Sequence, residues 1–123
     1  MARNYRGTGT VVRIKSAAAA VTGGSPKVEG GFHGIVGVSA AAGEPYPLHI
    51  DGEYEVNAVA SVVQGSTIYI TDSSGALSLT SGSGKRIFGK CSAVYGASSA
   101  STFGKEPASG KMWVRLAHQN DAA

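Results

Sequence analysis

The clearest pattern along the chain is a strict alternation of apolar and polar residues in YPLHIDGEYEVNA, residues 46–58. The even positions carry mainly apolar side chains, and the odd positions carry mainly charged or polar ones. A period of two is typical of a β-strand with one buried face. Asp51-Gly52 is a common hairpin turn, but the alternation continues through it without a change of phase. We therefore predict one long strand that bends or bulges at Gly52.

Similar alternation predicts strands at residues 10–15, 66–70, 76–79 and 111–118, and residues 86–95 read as a further strand that is partly apolar on both faces. The expected inward side chains are Thr10, Val12, Ile14, Ile68, Ile70, Leu77, Leu79, Met112, Val114 and Leu116. Asp72-Ser-Ser-Gly75 has turn composition, so residues 66–79 should form a β-hairpin. Helical periodicity is absent over any helical length, although residues 58–65 leave room for one helical turn ending at Gly65. The predicted fold is all-β, a single small β-barrel or β-sandwich, with a jelly roll among the candidate topologies.

Two segments stand apart from this pattern. Residues 1–7 form a basic arm that we expect to be flexible, and residues 96–110 form a long loop of mostly small and polar residues. Loops of this length are uncommon in small domains unless they are functional or disordered. We therefore divide the chain into the arm, a β domain at 8–118 that includes the loop, and a tail at 119–123.

Composition narrows the class of partner. Only 15% of the 123 residues are charged and 18 are glycine, which suits a compact β protein with many turns or a surface partly covered by neighbours. Residues 1–27 hold five bases and no acid, residues 28–84 hold six acids and no base, and residues 85–123 hold six bases and two acids. A chain with basic ends and an acidic middle can pair with copies of itself or with a partner of mixed charge. The acidic middle argues against a simple nucleic-acid binder, and no apolar run is long enough to span a membrane.

The glycine-rich stretch GGFHGIVGVSAAAGEP, residues 30–45, raises the question of a phosphate site. Its glycines have the wrong spacing for a dinucleotide fingerprint, and a strand follows where a helix is needed. SGSGKR at 81–86 lacks the first glycine of a P-loop and has Arg86 where a hydroxyl should bind Mg²⁺. We predict no cofactor.

Other candidate chemistry is equally weak. The three histidines, His33, His49 and His118, have no metal-ligand spacing, so we predict no metal. Glu53 and Glu55 would lie on one face of the long strand, where a solvated face explains them better than a catalytic pair. Cys91, the single cysteine, is expected to be a small buried hydrophobe. We predict no catalytic residue and no enzyme.

The order of these motifs resembles the capsid cement, or head decoration, proteins of tailed bacteriophages. The resemblance runs over about residues 8–118, through VTGGSPKVEGGFHGIVGVSAAAGEPYPLHIDGEYEV, TIYITDSSGALSLT, Ile87 with Gly89, and MWVRL. It implies that the glycines are structural, at turns and at close approaches between strands. The positions concerned are Gly34, Gly37, Gly43, Gly52, Gly65 and Gly89.

The resemblance also implies a structural virion protein, made in the host cytoplasm and carried on the outer surface of the expanded icosahedral head. Its partners would be the major capsid protein and other copies of itself, as a dimer or trimer, with no nucleic acid or membrane. Such a protein cross-links neighbouring capsid subunits against the pressure of packaged DNA.

The expected capsid contacts are the basic arm and the long loop, where an arm rich in arginine can become ordered on an acidic groove. The residues concerned are Ala2, Arg3, Asn4, Tyr5, Arg6, Phe103 and Lys105. For the arm, a frayed terminus is the alternative, and for Phe103 it is a local tuck onto its own domain. A rival function is a carbohydrate-binding module on the virion that aids host adhesion, with Trp113 and either Tyr5 or Tyr46 as its aromatic surface. A second rival is a nucleic-acid binder that uses the basic arm.

Overall fold

The structure is a computed structural model and describes residues 10–95 and 107–119. These residues form nine strands and no helix, so the predicted all-β class is confirmed. The strands are β1 (Val11–Ile14), β2 (Pro26–Glu29), β3 (Phe32–Val36), β4 (Tyr46–His49), β5 (Glu53–Asn57), β6 (Thr67–Thr71), β7 (Leu77–Ser78), β8 (Lys85–Val94) and β9 (Lys111–Leu116).

The strands make two antiparallel sheets. The four-stranded sheet has the order β1-β4-β3-β2, and the five-stranded sheet has the order β5-β9-β8-β6-β7. One of the two sheets curls into a half-barrel. The chain passes from the first sheet to the second in the three residues between β4 and β5. This arrangement agrees with the expected small barrel or sandwich.

The prediction of one long strand over residues 46–58 is wrong. The segment is two strands in different sheets, because β4 pairs with β1 and β3 whereas β5 pairs with β9. Gly52 lies at the crossing with φ of 111°, a conformation that side-chain-bearing residues rarely adopt. The alternation survives because Leu48 and Val56 are both buried, but each lies in a different core. Alternation reports which side chains are buried and carries no information about which sheet covers them.

The described residues form two hydrophobic cores. The larger lies between the sheets, where side chains of the five-stranded sheet meet Ile35 of β3 and the partly buried Val28 of β2. The smaller lies against the four-stranded sheet and contains Ile14, Ala17, Val21, Val36, Tyr46 and Leu48. The segments after β1 and after β3 close it, with an isolated β-bridge between Val21 and Ala40. β3 therefore contributes to both cores from its two faces.

The predicted hairpin and closing strand are confirmed. β6 and β7 pair antiparallel, Gly75 in their turn has φ of 75°, and Ile68 and Ile70 are fully buried. In β9 the side chains of Met112, Val114 and Leu116 are buried in the larger core.

The helical turn allowed at residues 58–65 does not form. The segment contains two separate turns, with hydrogen bonds from the Val62 amide to the Val59 carbonyl and from the Ser66 amide to the Val63 carbonyl. Val62 is buried in the larger core and Val59 packs against it. Apolar burial of these two side chains fixes the path of the segment, which is too short for a stable helix.

Candidate functional site

The expected contact residues belong to two segments that the structure does not describe. Ala2 to Arg6 in the arm, and Phe103 and Lys105 in the long loop, lie outside the described residues. The segments adjoin described strands, since the arm precedes β1 and the loop joins β8 to β9. Of the loop, residues 107–110 are described, and Pro107 is buried.

Three of the six glycines that we expected to be structural lie where another backbone or ring leaves no room for a side chain. A Cβ on Gly34 would lie 2.1 Å from the His49 carbonyl oxygen, and one on Gly89 would lie 2.2 Å from the Arg115 carbonyl oxygen. A Cβ on Gly37 would lie 2.7 Å from the His49 ring. Gly43, like Gly52 and Gly65, has a positive φ. The geometry of all six positions is accounted for by the fold.

The outer face of the five-stranded sheet, which is the face turned away from the larger core, carries exposed charge. Lys90 of β8 and Arg115 of β9 are exposed and directly paired across the two strands. Ile87 lies near them with 41% of its surface exposed, and a shallow groove of about 360 Å³ runs beside these residues. The surface here combines two exposed bases with one exposed apolar side chain.

The outer face also holds the two glutamates that the sequence placed side by side. Both are exposed on β5, as a solvated face requires. Glu55 Oε1 accepts hydrogen bonds from Trp113 Nε1 at 3.0 Å and from the Ala108 amide at 3.3 Å. The Ser92 hydroxyl donates to Glu53. These carboxylates brace the sheet through separate partners and do not face each other as an acid–base pair.

Tyr46 is unavailable to a carbohydrate. Only 2% of its surface is exposed, and its hydroxyl donates a hydrogen bond to Glu29 Oε1. Burial and the nearby carboxylate raise the pKa of the Tyr46 hydroxyl. The idea that Tyr46 joins Trp113 in an exposed aromatic surface is therefore wrong, because Tyr46 and Leu48, the even positions of β4, face the smaller core.

A polar cluster between the sheets was missed by the sequence analysis. His33 of β3 is 1% exposed, and its Nε2 lies 3.1 Å from the Ala117 carbonyl oxygen. Arg86 of β8 is also buried, donates to the Gly31 carbonyl at 3.0 Å and lies 3.4 Å from Asp72. Burial lowers the pKa of His33, the hydrogen bond to the Ala117 carbonyl opposes this in part, and the Arg86 charge lowers the pKa further. The only sequence signal for this was a histidine within an otherwise apolar strand.

Gln119 joins this cluster from the segment assigned to the tail. Its side-chain oxygen accepts from the His33 amide at 2.8 Å, and its side-chain nitrogen donates to the Ile50 carbonyl at 2.9 Å. The end of the β domain is thus tied to β3 and to the crossing between the sheets. No pattern in a five-residue polar tail predicts such a bridge.

The remaining candidate groups suit packing. Cys91 is buried, and burial raises the pKa of its thiol. Within residues 10–95 and 107–119, no three His, Cys, Asp or Glu side chains are grouped as a metal site would require. The same part of the chain contains no helix long and apolar enough to cross a membrane.

Comparison with known proteins decides the family. A family model described as phage cement protein matches residues 7–106. The chain belongs to the phage cement protein family. The match covers β1 to β8 and ends before β9, so it is shorter than the resemblance expected over 8–118. A search of curated proteins found no match, and neither did a search of solved structures.

Membership of the phage cement family gives the coarse function. The protein is a structural component of a phage capsid, and its role is that of capsid cement. The family is structural and is not an enzyme class. The resemblance stated from the sequence is therefore confirmed at the level of the family.

Proposed function

We propose that this phage cement protein binds the outer surface of the expanded head and cross-links neighbouring major capsid subunits against internal DNA pressure. The observation that carries the proposal is the family match over residues 7–106. The fold supports it, since a small β domain with two cores is a rigid body that can bridge neighbouring subunits. The cement is made in the host cytoplasm and added to the head from outside.

Multivalency supplies the strength of the cross-link. A dimer or trimer carries several copies of one weak capsid contact, and linked contacts give an avidity far above that of each contact alone. Closed symmetry is the usual arrangement of such an oligomer. Weak single contacts also let the protein distinguish the expanded lattice, where several sites come into reach together, from an isolated subunit.

The proposed contact residues are those of the arm, Ala2 to Arg6, together with Phe103 and Lys105 in the long loop. Arginine forms charge-assisted, bidentate hydrogen bonds with carboxylates, so the arm suits an acidic groove on the capsid. Phe103 is an aromatic side chain within a polar segment and suits an apolar pocket as an anchor. The exposed Lys90 and Arg115 add positive charge on the five-stranded sheet.

Co-sedimentation tests the function directly. Purified protein is mixed with expanded, undecorated heads of the phage that encodes it, and unexpanded proheads serve as the control. We expect saturable binding to expanded heads alone, with a stoichiometry that identifies the lattice site. Equal binding to both particles would contradict recognition of the expanded lattice, and no binding to either would contradict the cement role of this chain.

A further inference from the structure

The four sheet edges differ in how open they are to pairing with a further strand. The edges of the four-stranded sheet are β1 and β2, and those of the five-stranded sheet are β5 and β7. β7 has only two residues. β2 begins with Pro26, which has no N–H, and its carbonyl oxygen lies close against Gly75. β1 has four residues and β5 has five, and neither has a second strand partner among the described residues.

The pairing register shows which residues of β1 and β5 face outward. In antiparallel pairs, alternate residues direct both N–H and C=O toward the partner strand, and the residues between them direct both away. The Thr10 carbonyl accepts from the Ile50 amide, so even residues of β1 face β4. The Gly52 carbonyl accepts from the Leu116 amide, so even residues of β5 face β9. The outward groups therefore belong to odd residues, which are Val11 and Arg13 on β1 and Glu53, Glu55 and Asn57 on β5.

The two free edges carry opposite charge. Arg13 on β1 and Lys15 just after it are exposed, and Val11 is 45% exposed. Glu53 and Glu55 on β5 are exposed as well. The described hydrogen bonds of Glu55 use Oε1, so its second carboxylate oxygen can accept from a partner.

We propose that β1 of one copy pairs antiparallel with β5 of a second copy, so that a sheet continues from one protein into the next. The register that uses every charge places Arg13 opposite Glu55 and Lys15 opposite Glu53, with Val11 opposite Asn57. All six residues are odd, so on both strands the free N–H and C=O groups meet in that register. Directly opposed residues of opposite charge stabilise a strand pair.

Charge also selects this pairing over its alternatives. Pairing β1 with a second β1 would oppose bases, and pairing β5 with a second β5 would oppose acids, and like charges directly opposite are destabilising. Charged edge residues commonly protect a monomer from strand pairing. Here the edge charges repel in β1–β1 and β5–β5 pairs but attract in a β1–β5 pair, so they select β5 as the partner of β1.

This inference rests on the self-association in the proposed function, but its test needs no capsid, so the two can fail separately. The mass of the full-length protein is measured by analytical ultracentrifugation over a wide concentration range. We expect Arg13→Glu to weaken self-association at least about tenfold, because one attractive pair becomes repulsive at each interface. The matched control is Lys90→Glu, the same charge change on a central strand, which should leave association unchanged.

Charge exchange gives the decisive comparison. The double variant Arg13→Glu/Glu55→Arg should restore association, since the pair is re-formed with its signs reversed. Because Glu55→Arg also removes the Trp113 hydrogen bond and can disturb the fold, Lys15→Glu/Glu53→Lys is a second exchange. Restoration by either exchange supports the interface. A monomeric wild-type protein, association insensitive to Arg13→Glu, or two folded exchange variants that both stay monomeric would overturn it.

Hydrogen exchange adds a readout at the backbone itself. The amides of Arg13, Glu53 and Glu55 point away from their sheets, so they should exchange rapidly in dilute protein and become protected as the protein associates. The same protection should be lost in Arg13→Glu. Protection that does not rise with concentration at these amides would contradict strand pairing even where association occurs.

Discussion

At the scale of single residues, glycine sets how closely the backbones approach. Gly34→Ala would drive a Cβ into the carbonyl of His49, which is backbone at the end of the paired strand β4 and cannot move freely. We expect the free energy of unfolding to fall by about 1–3 kcal/mol, the usual cost of overpacking. Urea unfolding followed by circular dichroism measures this fall.

Gly82→Ala is the matched control for that substitution. Gly82 has a negative φ or an extended backbone, and the nearest atom to its Cβ would be Lys85 Cδ at 3.9 Å. Gly82→Ala should change the free energy of unfolding by less than about 0.5 kcal/mol. Equal effects of the two substitutions would contradict the close-approach explanation.

The buried imidazole of His33 makes stability depend on pH. Its pKa is lowered in the fold from the ordinary 6.5, so the unfolded chain binds the proton more readily. The stabilisation from the neutral His33 ring is fully present above pH 6.5 and is lost as the pH falls below it. The free energy of unfolding falls there by at most about 1.4 kcal/mol per pH unit. The groups that face the ring are the Arg86 charge, the Ala117 carbonyl and the Phe88 ring.

His33→Gln tests this assignment. The amide does not titrate, so the loss of melting temperature on acidification should be smaller in the variant than in the wild type. His118→Gln, at an exposed histidine, is the control and should retain the wild-type slope. An unchanged slope in His33→Gln would show that another group causes the acid sensitivity.

At the scale of strands, alternation predicted burial well, except at Thr10, which is exposed, and it predicted pairing poorly. It placed Ile68, Ile70 and Val114 inward, and these are fully buried. It could not separate β4 from β5, because the inward phase is the same in both sheets. The information that divides them lies in the backbone at Gly52, and a single glycine in a strand is equally compatible with a bulge.

The polar contacts that join the elements were out of reach for a related reason. Tens of residues separate His33, Arg86 and Gln119 along the chain, and their local sequences do not indicate that the three side chains lie close together. Gln119 makes its bonds only because β9 delivers it beside β3 and the crossing. Local patterns predict elements, whereas contacts of this kind depend on the completed topology.

At the scale of the whole molecule, the basic and acidic segments of the sequence correspond to different strand edges. The basic beginning of the chain includes the free edge of β1, and the acidic middle includes the free edge of β5. The β1 and β5 edges lie in different sheets, so the bases and acids that are separated along the sequence are also separated in space. A chain so arranged can associate with its own copies while its terminal arm remains available for the capsid.

If the strand edges serve self-association and the arm serves capsid binding, then removing the arm should affect capsid binding alone. Deleting residues 2–7 should leave the melting temperature unchanged, since every described strand begins after this segment. The deletion should weaken binding to expanded heads at least about tenfold, because each arm loses one or two charge-assisted contacts. Co-sedimentation measures the binding, and Arg3→Ala/Arg6→Ala separates the charges from the rest of the arm. Deleting residues 120–123 is the control at the other end and should leave binding intact. Full occupancy of heads by the protein without its arm would place the capsid contact elsewhere, with the long loop and Phe103 as the next segment to change.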